Sequence, residues 1–335
     1  MNTNLIQSLV TLGERISEEN NTGLSEVKQK AKIHNKWFTE SNIELAFVGI
    51  KEFLNADNLY TWLQKYEFNT KKHTVGLVMA GNIPMVGFHD LICVLAAGKQ
   101  AKIKLSSEDS ILIPYLVTQL IDIDPSFTER ILFVDLLKDI DAVIATGSDN
   151  SSRYFDYYFR DIPHIIRKNR TSVAILDGTE NEEEFLKLGN DILQYFGLGC
   201  RNVSKLFVPQ GFDFSSFYEA IQPLHEVIYM SKYVNNYDYN KSIYLVNKEE
   251  FKDNGFLLLK PDEAFVSPLS VVFYEHYSNA GELNNKLKNF ENKIQIILSK
   301  NREFSNSLAF GDSQKPSLWD YADDINTLEF LAHLN

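Results

Sequence analysis

Apolar and polar positions along the chain change period at a few sharp points. Over the first 70 residues, Leu5, Leu9, Leu12 and Ile16 recur at helical spacing. Thr39-Glu-Ser-Asn42 opens a further helix, and the run Ala56-Asp-Asn-Leu-Tyr-Thr-Trp-Leu63 continues the pattern. These helices carry no evident chemistry and predict a packing or assembly role. At His73 the character changes. Residues 74–79 form an unbroken apolar run of strand length, as in a strand buried on both faces of a parallel sheet. Leu91, Val94 and Leu95 then restore helical spacing as far as Gly98, a C-cap residue. Strands are predicted at 101–105, 130–135 and 142–145, with helices opening at 106–109 and near 150. Strand alternating with helix predicts an α/β fold with a doubly wound parallel sheet.

The second half repeats that alternation. Residues 171–176 read as a strand closed by Asp177-Gly178. Acidic residues at 180–184 favour a helix start, and that helix is predicted to run down to Cys200. Further strands are expected at 206–208, 227–230 and 242–246. An apolar run at 269–274, a helix at 281–290, a strand at 293–298 and an amphipathic helix over 319–334 complete the reading. No internal repeat or low-complexity segment is present.

Composition narrows the function classes. A chain of 335 residues suits two lobes, and 44% hydrophobic with 23% charged residues is that of a globular protein. The net charge of −12, with no basic stripe, makes nucleic acid an unexpected partner. Cys93 and Cys200, the two cysteines, cannot build a disulfide framework, which agrees with a reducing compartment. Residues 1–10 lack the basic region and apolar core of a signal peptide. No apolar run reaches the roughly 18 residues of a membrane span. A cytoplasmic location is therefore expected. The 16 Tyr and 23 Phe fit an aromatic core or an apolar channel equally well.

Polar turns fall where a doubly wound sheet binds ligands, beyond the carboxyl ends of its strands. They are Gly81-Asn82, Lys104-Leu-Ser-Ser107 and Thr146-Gly-Ser148. A dinucleotide is the natural ligand of such a crevice, although G-x-G-x-x-G is absent. The other candidate stretch is Gln194-Tyr-Phe-Gly-Leu-Gly-Cys-Arg-Asn-Val-Ser-Lys205. Glycines before Cys200 admit close approach, and Arg201 and Lys205 would favour its thiolate. A buried structural cysteine is the competing reading. Cys93 lies in an apolar helix and reads as core. The seven histidines are scattered, no two of them at i and i+4, so no metal is expected. His89 reads as a helix-surface residue. Arg153-Tyr-Phe-Asp-Tyr-Tyr-Phe159 reads as burial against the sheet, or else as a channel lining.

The order of these motifs resembles the aldehyde dehydrogenase superfamily. Within it they look most like the acyl-CoA reductases, the branch typified by the fatty-acid reductase of bacterial bioluminescence. The resemblance rests on Gly81-Asn-Ile-Pro84, Leu95-Ala-Ala-Gly98 leading to Lys104-Leu-Ser-Ser-Glu108, Thr146-Gly-Ser148, Phe196-Gly-Leu-Gly-Cys-Arg-Asn202 and Asp262-Glu-Ala-Phe-Val-Ser-Pro268. It spans residues 74–270 at motif level and is looser before 70 and after 300. It implies an aldehyde-dehydrogenase-like fold of two doubly wound parallel-sheet lobes. The expected layout is a helical segment at 1–70, a Rossmann-like cofactor lobe at 71–177, a catalytic thiol lobe at 178–315 and a C-terminal helix at 316–335.

The resemblance also implies residue roles. Cys200 would attack an acyl-CoA and hold the acyl group as a thioester. Asn82, with the Cys200 backbone N–H, would stabilise the oxyanion. Lys104 would reach the adenosine ribose of a nicotinamide cofactor. Thr146, Gly147 and Ser148, at a helix start, would lie by its pyrophosphate. Glu263 would bind the nicotinamide ribose and Phe265 would pack beside the nicotinamide. Plainer readings stay open: a turn residue for Asn82, a solvated lysine for Lys104, an N-cap for Ser148 and a surface carboxylate for Glu263.

Departures from the family pattern set the expected direction. Aldehyde-oxidising members carry a water-activating glutamate where this chain has an apolar residue, near Ile175, with only Asp177 close by. That favours reduction of an acyl-CoA to the aldehyde, with oxidation of an aldehyde or a non-catalytic binding role as alternatives. Ser107 stands where NAD-preferring relatives often place an acid, which favours NADPH; NADH and the adjacent Glu108 keep the alternative open. The family further implies a homo-oligomer, dimer or tetramer, and an acyl-activating enzyme as a partner.

Overall fold

The computed structural model describes residues 3–18, 22–300, 304 and 307–334. The chain forms two compact units, residues 1–169 with 316–335, and residues 170–315.

The first unit opens with α1 (Thr3–Arg15), α2 (Thr22–His34), α3 (Glu40–Phe53) and α4 (Ala56–Leu63). Leu5, Leu9 and Leu12 of α1 are buried, so the helical stripe seen in sequence is the face that packs. Thr39 caps α3 by accepting from the Asn42 N–H, and Asn55 caps α4. The sheet follows: β1 (Thr74–Val78), α5 (Phe88–Ala96), β2 (Gln100–Lys104), α6 (Leu112–Ile123), β3 (Ile131–Phe133), β4 (Ala142–Thr146), α7 (Asp149–Tyr158) and β5 (His164–Arg167). Its order is β3-β2-β1-β4-β5, every pair parallel. The chain winds outward from β1 to β3, then returns to lay β4 on the other side of β1. The switch point, where such sheets bind ligands, therefore lies between β1 and β4.

The second unit contains β6 (Thr171–Ile175), α8 (Glu182–Leu193), β7 (Val203–Pro209), α9 (Ser215–Ala220), α10 (Ser231–Asn247), β8 (Lys252–Asp253), β9 (Leu258–Pro261), β10 (Val271–Tyr277), α11 (Ala280–Asn289), β11 (Ile294–Ser299) and β12 (Ser307–Leu308). The order is β12-β11-β6-β7-β10-β9-β8, parallel except for the short β8 against β9. The chain then returns to the first unit with α12 (Thr327–Ala332).

Several expectations are corrected. Residues 227–230 and 242–246 are not strands. The first lie mostly in a 3-10 stretch, Gln222–Tyr229, with proline at its start, and the second in α10. Tyr233, Tyr237, Asn240 and Tyr244 are the buried residues of α10, at helical spacing; the apolar run 243–246 was too short to reveal that period. The helix expected to reach Cys200 ends at Leu193. Tyr195, Phe196 and Gly197 are left-handed, with φ of 51°, 58° and 78°, which no α-helix accommodates. The tail is not one helix over 319–334. A 3-10 turn, Ala322–Asp324, is broken by left-handed Asp323 and Asp324, and Asn326 then caps α12. That tail is tied into the first unit. Trp62 Nε1 donates to Tyr321 (2.8 Å), and Arg167 donates to Thr327 (3.0 Å) and to Asp90.

Candidate active site

At the carboxyl ends of β1, β2 and β4 the polar turns stand where the sequence placed them. Asn82 follows β1 and is exposed. Its loop is fixed from behind. Gly81 packs so closely on the turn after β2 that a Cβ would lie 2.6 Å from Ser106 Oγ. Asp109, buried at the end of that turn, accepts from the Met85 N–H (2.7 Å) and the Leu112 N–H (3.3 Å). Met85 is left-handed, φ 57°, so this carboxylate holds a strained corner just past Asn82. Asp109 has no role in the sequence reading. A lone acid beside a helix start reads as a cap, and its partner 24 positions earlier is invisible.

Burial pushes the Asp109 carboxyl up to about 6, although the Met85 and Leu112 N–H groups oppose the shift. The folded chain thus holds this proton more tightly than the unfolded chain, where the carboxyl titrates near 3.8. Stability from this group is present below the lower value and is lost as pH rises through the upper one. Wild type should therefore gain about 2 kcal/mol on Asp109→Asn between pH 7 and about pH 4.5, measured by urea unfolding at both pH values. A difference that does not change with pH would contradict the assignment.

Lys104 ends β2, exposed, and its Nζ donates to the Asp135 carbonyl (2.7 Å). Ser107 and Glu108 are exposed on the following turn. Their carbonyls are held by α2 and the residue after it: His34 Nε2 donates to Ser107 O (2.6 Å) and Asn35 Nδ2 to Glu108 O (3.2 Å). The N-terminal helices thus buttress the turn that bears the candidate ribose contacts. After β4, Ser148 caps α7 by accepting from the Ser151 N–H (3.3 Å). Gly147 has a packing reason: a Cβ there would come within 2.8 Å of the Phe155 ring. In chemistry the set suits a dinucleotide: a cation, hydroxyls and a helix N-terminus at strand carboxyl ends. The aromatic stretch of α7 corrects the expectation of burial. Tyr154, Tyr157 and Tyr158 are exposed, because α7 packs through Ser152 and Phe155 instead.

In the second unit Cys200 is exposed, in the loop between the left-handed 195–197 corner and β7. Buried Asn202 organises this loop. Its side-chain oxygen accepts from the Gly199 N–H (2.9 Å), while its amide donates to the carbonyls of Asp191, Ile192 and Gln194. One side chain thus closes the turn around Cys200 and satisfies the open carbonyls at the end of α8. Ser172 Oγ on β6 donates to the Cys200 carbonyl (2.9 Å). Phe196 and Gly197 also line a cavity of about 30 Å³ with Tyr233, Leu257 and Leu269, too small for an acyl chain. Lys205 is not available to the thiol. It is fully buried and donates to Glu275 (3.1 Å) and to the Asp262 carbonyl. Arg201 Nε donates to the Ser313 carbonyl.

Glu263 is exposed on the turn after β9. Phe265 is not: its ring is buried between Phe207 and Phe290, with centroids at 6.1 and 4.6 Å. A nicotinamide contact for Phe265 would require the ring to leave this stack, so its place here is in the core. Ile175 is likewise buried, among Val173, Phe207 and Phe265. The nearby carboxylates close their own turn. Asp177 accepts from Thr179, and Glu180 accepts from the N–H groups of Asp177 (2.7 Å) and Gly178 (3.0 Å). Among the described residues no cluster of His, Cys, Asp or Glu could hold a metal ion, and no helix is long and apolar enough to cross a membrane.

No protein-family model matches the chain, and no curated protein does. Solved structures do. A mutant of aldehyde dehydrogenase C from Pseudomonas syringae, complexed with NAD+ and octanal, matches with a TM-score of 0.64, over 89% of this chain and 72% of that one, at 11% identity. An aldehyde dehydrogenase from Bacillus cereus in its NAD+ complex matches at 0.62, over 89% and 72%, at 13% identity. The substrate-bound AldH of Staphylococcus aureus matches at 0.60, over 92% and 79%, at 15% identity. With its two parallel-sheet units, the chain has an aldehyde-dehydrogenase-like α/β fold.

Proposed function

We propose that this protein reduces an acyl-CoA, or a related acyl thioester, to the aldehyde with NADPH, through a thioester on Cys200. The observation that carries the reading is Cys200 itself, exposed in a loop that Asn202 and Ser172 hold in place. Solved neighbours of the same fold include an aldehyde dehydrogenase complexed with NAD+ and octanal, which supports a nicotinamide cofactor and a carbonyl substrate. The Cys200 thiolate attacks the acyl carbonyl carbon. A new sulfur–carbon bond forms, the bond to coenzyme A breaks, and coenzyme A leaves as its thiolate. Asn82 and the Cys200 N–H are assigned to the negative charge that gathers on the carbonyl oxygen. Lys104 and Ser107 are assigned to the adenosine ribose, Thr146, Gly147 and Ser148 to the pyrophosphate, and Glu263 to the nicotinamide ribose. When bound, the reduced nicotinamide supplies the two electrons that convert the thioester to the aldehyde.

The reductive direction is favoured by what surrounds β6. Ile175 is core, and the Asp177 and Glu180 carboxylates are engaged in their own turn, so none stands ready to activate water against the thioester. The absence of an acid at Ser107 favours NADPH, with NADH the alternative. The test is product balance. Acyl-CoA with NADPH should yield aldehyde and coenzyme A one for one, far faster than aldehyde with NADP+ yields free acid. Faster acid formation would reverse the direction. A folded protein that binds neither cofactor in calorimetry would instead be a non-catalytic binding partner.

A further inference from the structure

Lys205 is a charged side chain with no exposure at all, in the middle of a parallel sheet. Lysine is almost never fully buried unless paired. Here Glu275, on the neighbouring strand β10, accepts from Lys205 (3.1 Å) and also from Lys286 (2.5 Å). The pair alone does not explain the lysine, because Lys286 already neutralises Glu275, and an apolar residue of similar length would fill the space. What only Lys205 supplies is a donor to the carbonyl oxygen of Asp262, the residue before Glu263. Its neighbour on β7, Ser204, donates to the carbonyl of Phe265 (2.7 Å), on the far side of Glu263. Consecutive residues of β7 therefore clamp both shoulders of the turn that presents Glu263. Within the turn, Asp262 accepts from the Ala264 N–H (2.9 Å) and pairs with Lys260 (2.7 Å). The same strand begins three residues after Cys200, at Val203, so one strand carries the thiol loop at its start and the clamp just beyond.

We infer that Lys205 is a positioning residue for the cofactor: it holds the 262–265 turn so that Glu263 meets the nicotinamide ribose. The inference rests on the reading of Glu263 as a cofactor contact. Lys205→Met keeps the length and leaves Glu275 paired with Lys286, so no buried charge is orphaned. Its Kd for NADPH, by calorimetry, should rise about ten-fold, the effect of losing one hydrogen bond to a charged donor. The rate at which an acyl-CoA loads Cys200 without cofactor, by intact mass spectrometry, should stay within about two-fold of wild type, since no transition-state contact is lost. Lys205→Arg, which keeps charge and donors, should recover most of the affinity. Should the methionine variant fail to fold, Ser204→Ala removes the other clamp and should weaken NADPH binding while sparing acylation.

Unchanged NADPH affinity in Lys205→Met would overturn the inference. So would an equal fall in cofactor affinity and acylation rate with no recovery in Lys205→Arg, which would mark a general structural role. Glu263→Ala separates the two layers. If it leaves NADPH affinity unchanged while wild type binds, Glu263 is not a cofactor contact and the role of Lys205 falls with it. If wild-type protein binds cofactor but never acylates, the reading of Cys200 fails while the clamp stands.

Discussion

Cys200→Ala should abolish aldehyde formation from acyl-CoA, a loss of roughly 10⁴-fold or more in kcat/KM, while NADPH binding and the unfolding midpoint stay near wild type. The size follows from the route. Without sulfur there is no covalent acyl intermediate, and direct reduction of a thioester bound only by contacts has no comparable path. Stability should be spared because Cys200 is exposed and the loop is held through backbone atoms and other side chains. Asn202 binds the Gly199 N–H, and Ser172 binds the carbonyl of residue 200 itself. Alanine keeps that carbonyl. Residual aldehyde formation within about ten-fold of wild type would be too much for an enzyme lacking its nucleophile.

Asn82→Ala should lower the rate of acyl transfer by about 10²–10³-fold, the usual effect of removing one donor to a developing oxyanion. The effect should appear in both the reductive turnover and the cofactor-free loading of Cys200, because both pass through the same tetrahedral oxyanion. NADPH affinity should hardly move. The loop itself should survive, since Gly81 packs on Ser106 and the Met85 N–H is held by Asp109, none of which involves the Asn82 side chain. A variant that loads acyl groups at the wild-type rate would leave Asn82 as a turn residue and nothing more.

The fold was legible where a single element contained its own signal. β1 and β4 are short apolar runs, β2 alternates apolar residues with lysines, and each ends in a polar turn; the chain crosses between them through helices, so a parallel sheet followed. It was illegible where a short apolar run stood inside a longer helix. Residues 243–246 look like a strand until Tyr233, Tyr237 and Tyr244 are seen to share one buried face. The left-handed turn at 195–197 was hidden too, since Tyr and Phe seldom adopt that conformation and give no local warning. For the site, Asn82, Cys200 and the polar turns stood out because each lies at a junction the pattern marks. Asp109, Asn202 and Lys205 did not, because their roles are set by backbone atoms that only folding brings near. Lys205 did leave one trace: a lysine directly ahead of the apolar run Leu206-Phe-Val208 in a central strand needs a buried partner. For Phe265 the motif position did not say which way the ring turns, and here it packs on Phe290 in the core.

The central claim is covalent acyl transfer to Cys200, and intact mass spectrometry after mixing the wild-type protein with a panel of acyl-CoAs and no cofactor tests it most directly. The expected result is one acyl adduct per chain, mapped to Cys200, persisting in water and discharged when NADPH is added. No adduct with any acyl-CoA, or an adduct that survives in Cys200→Ala, would contradict it.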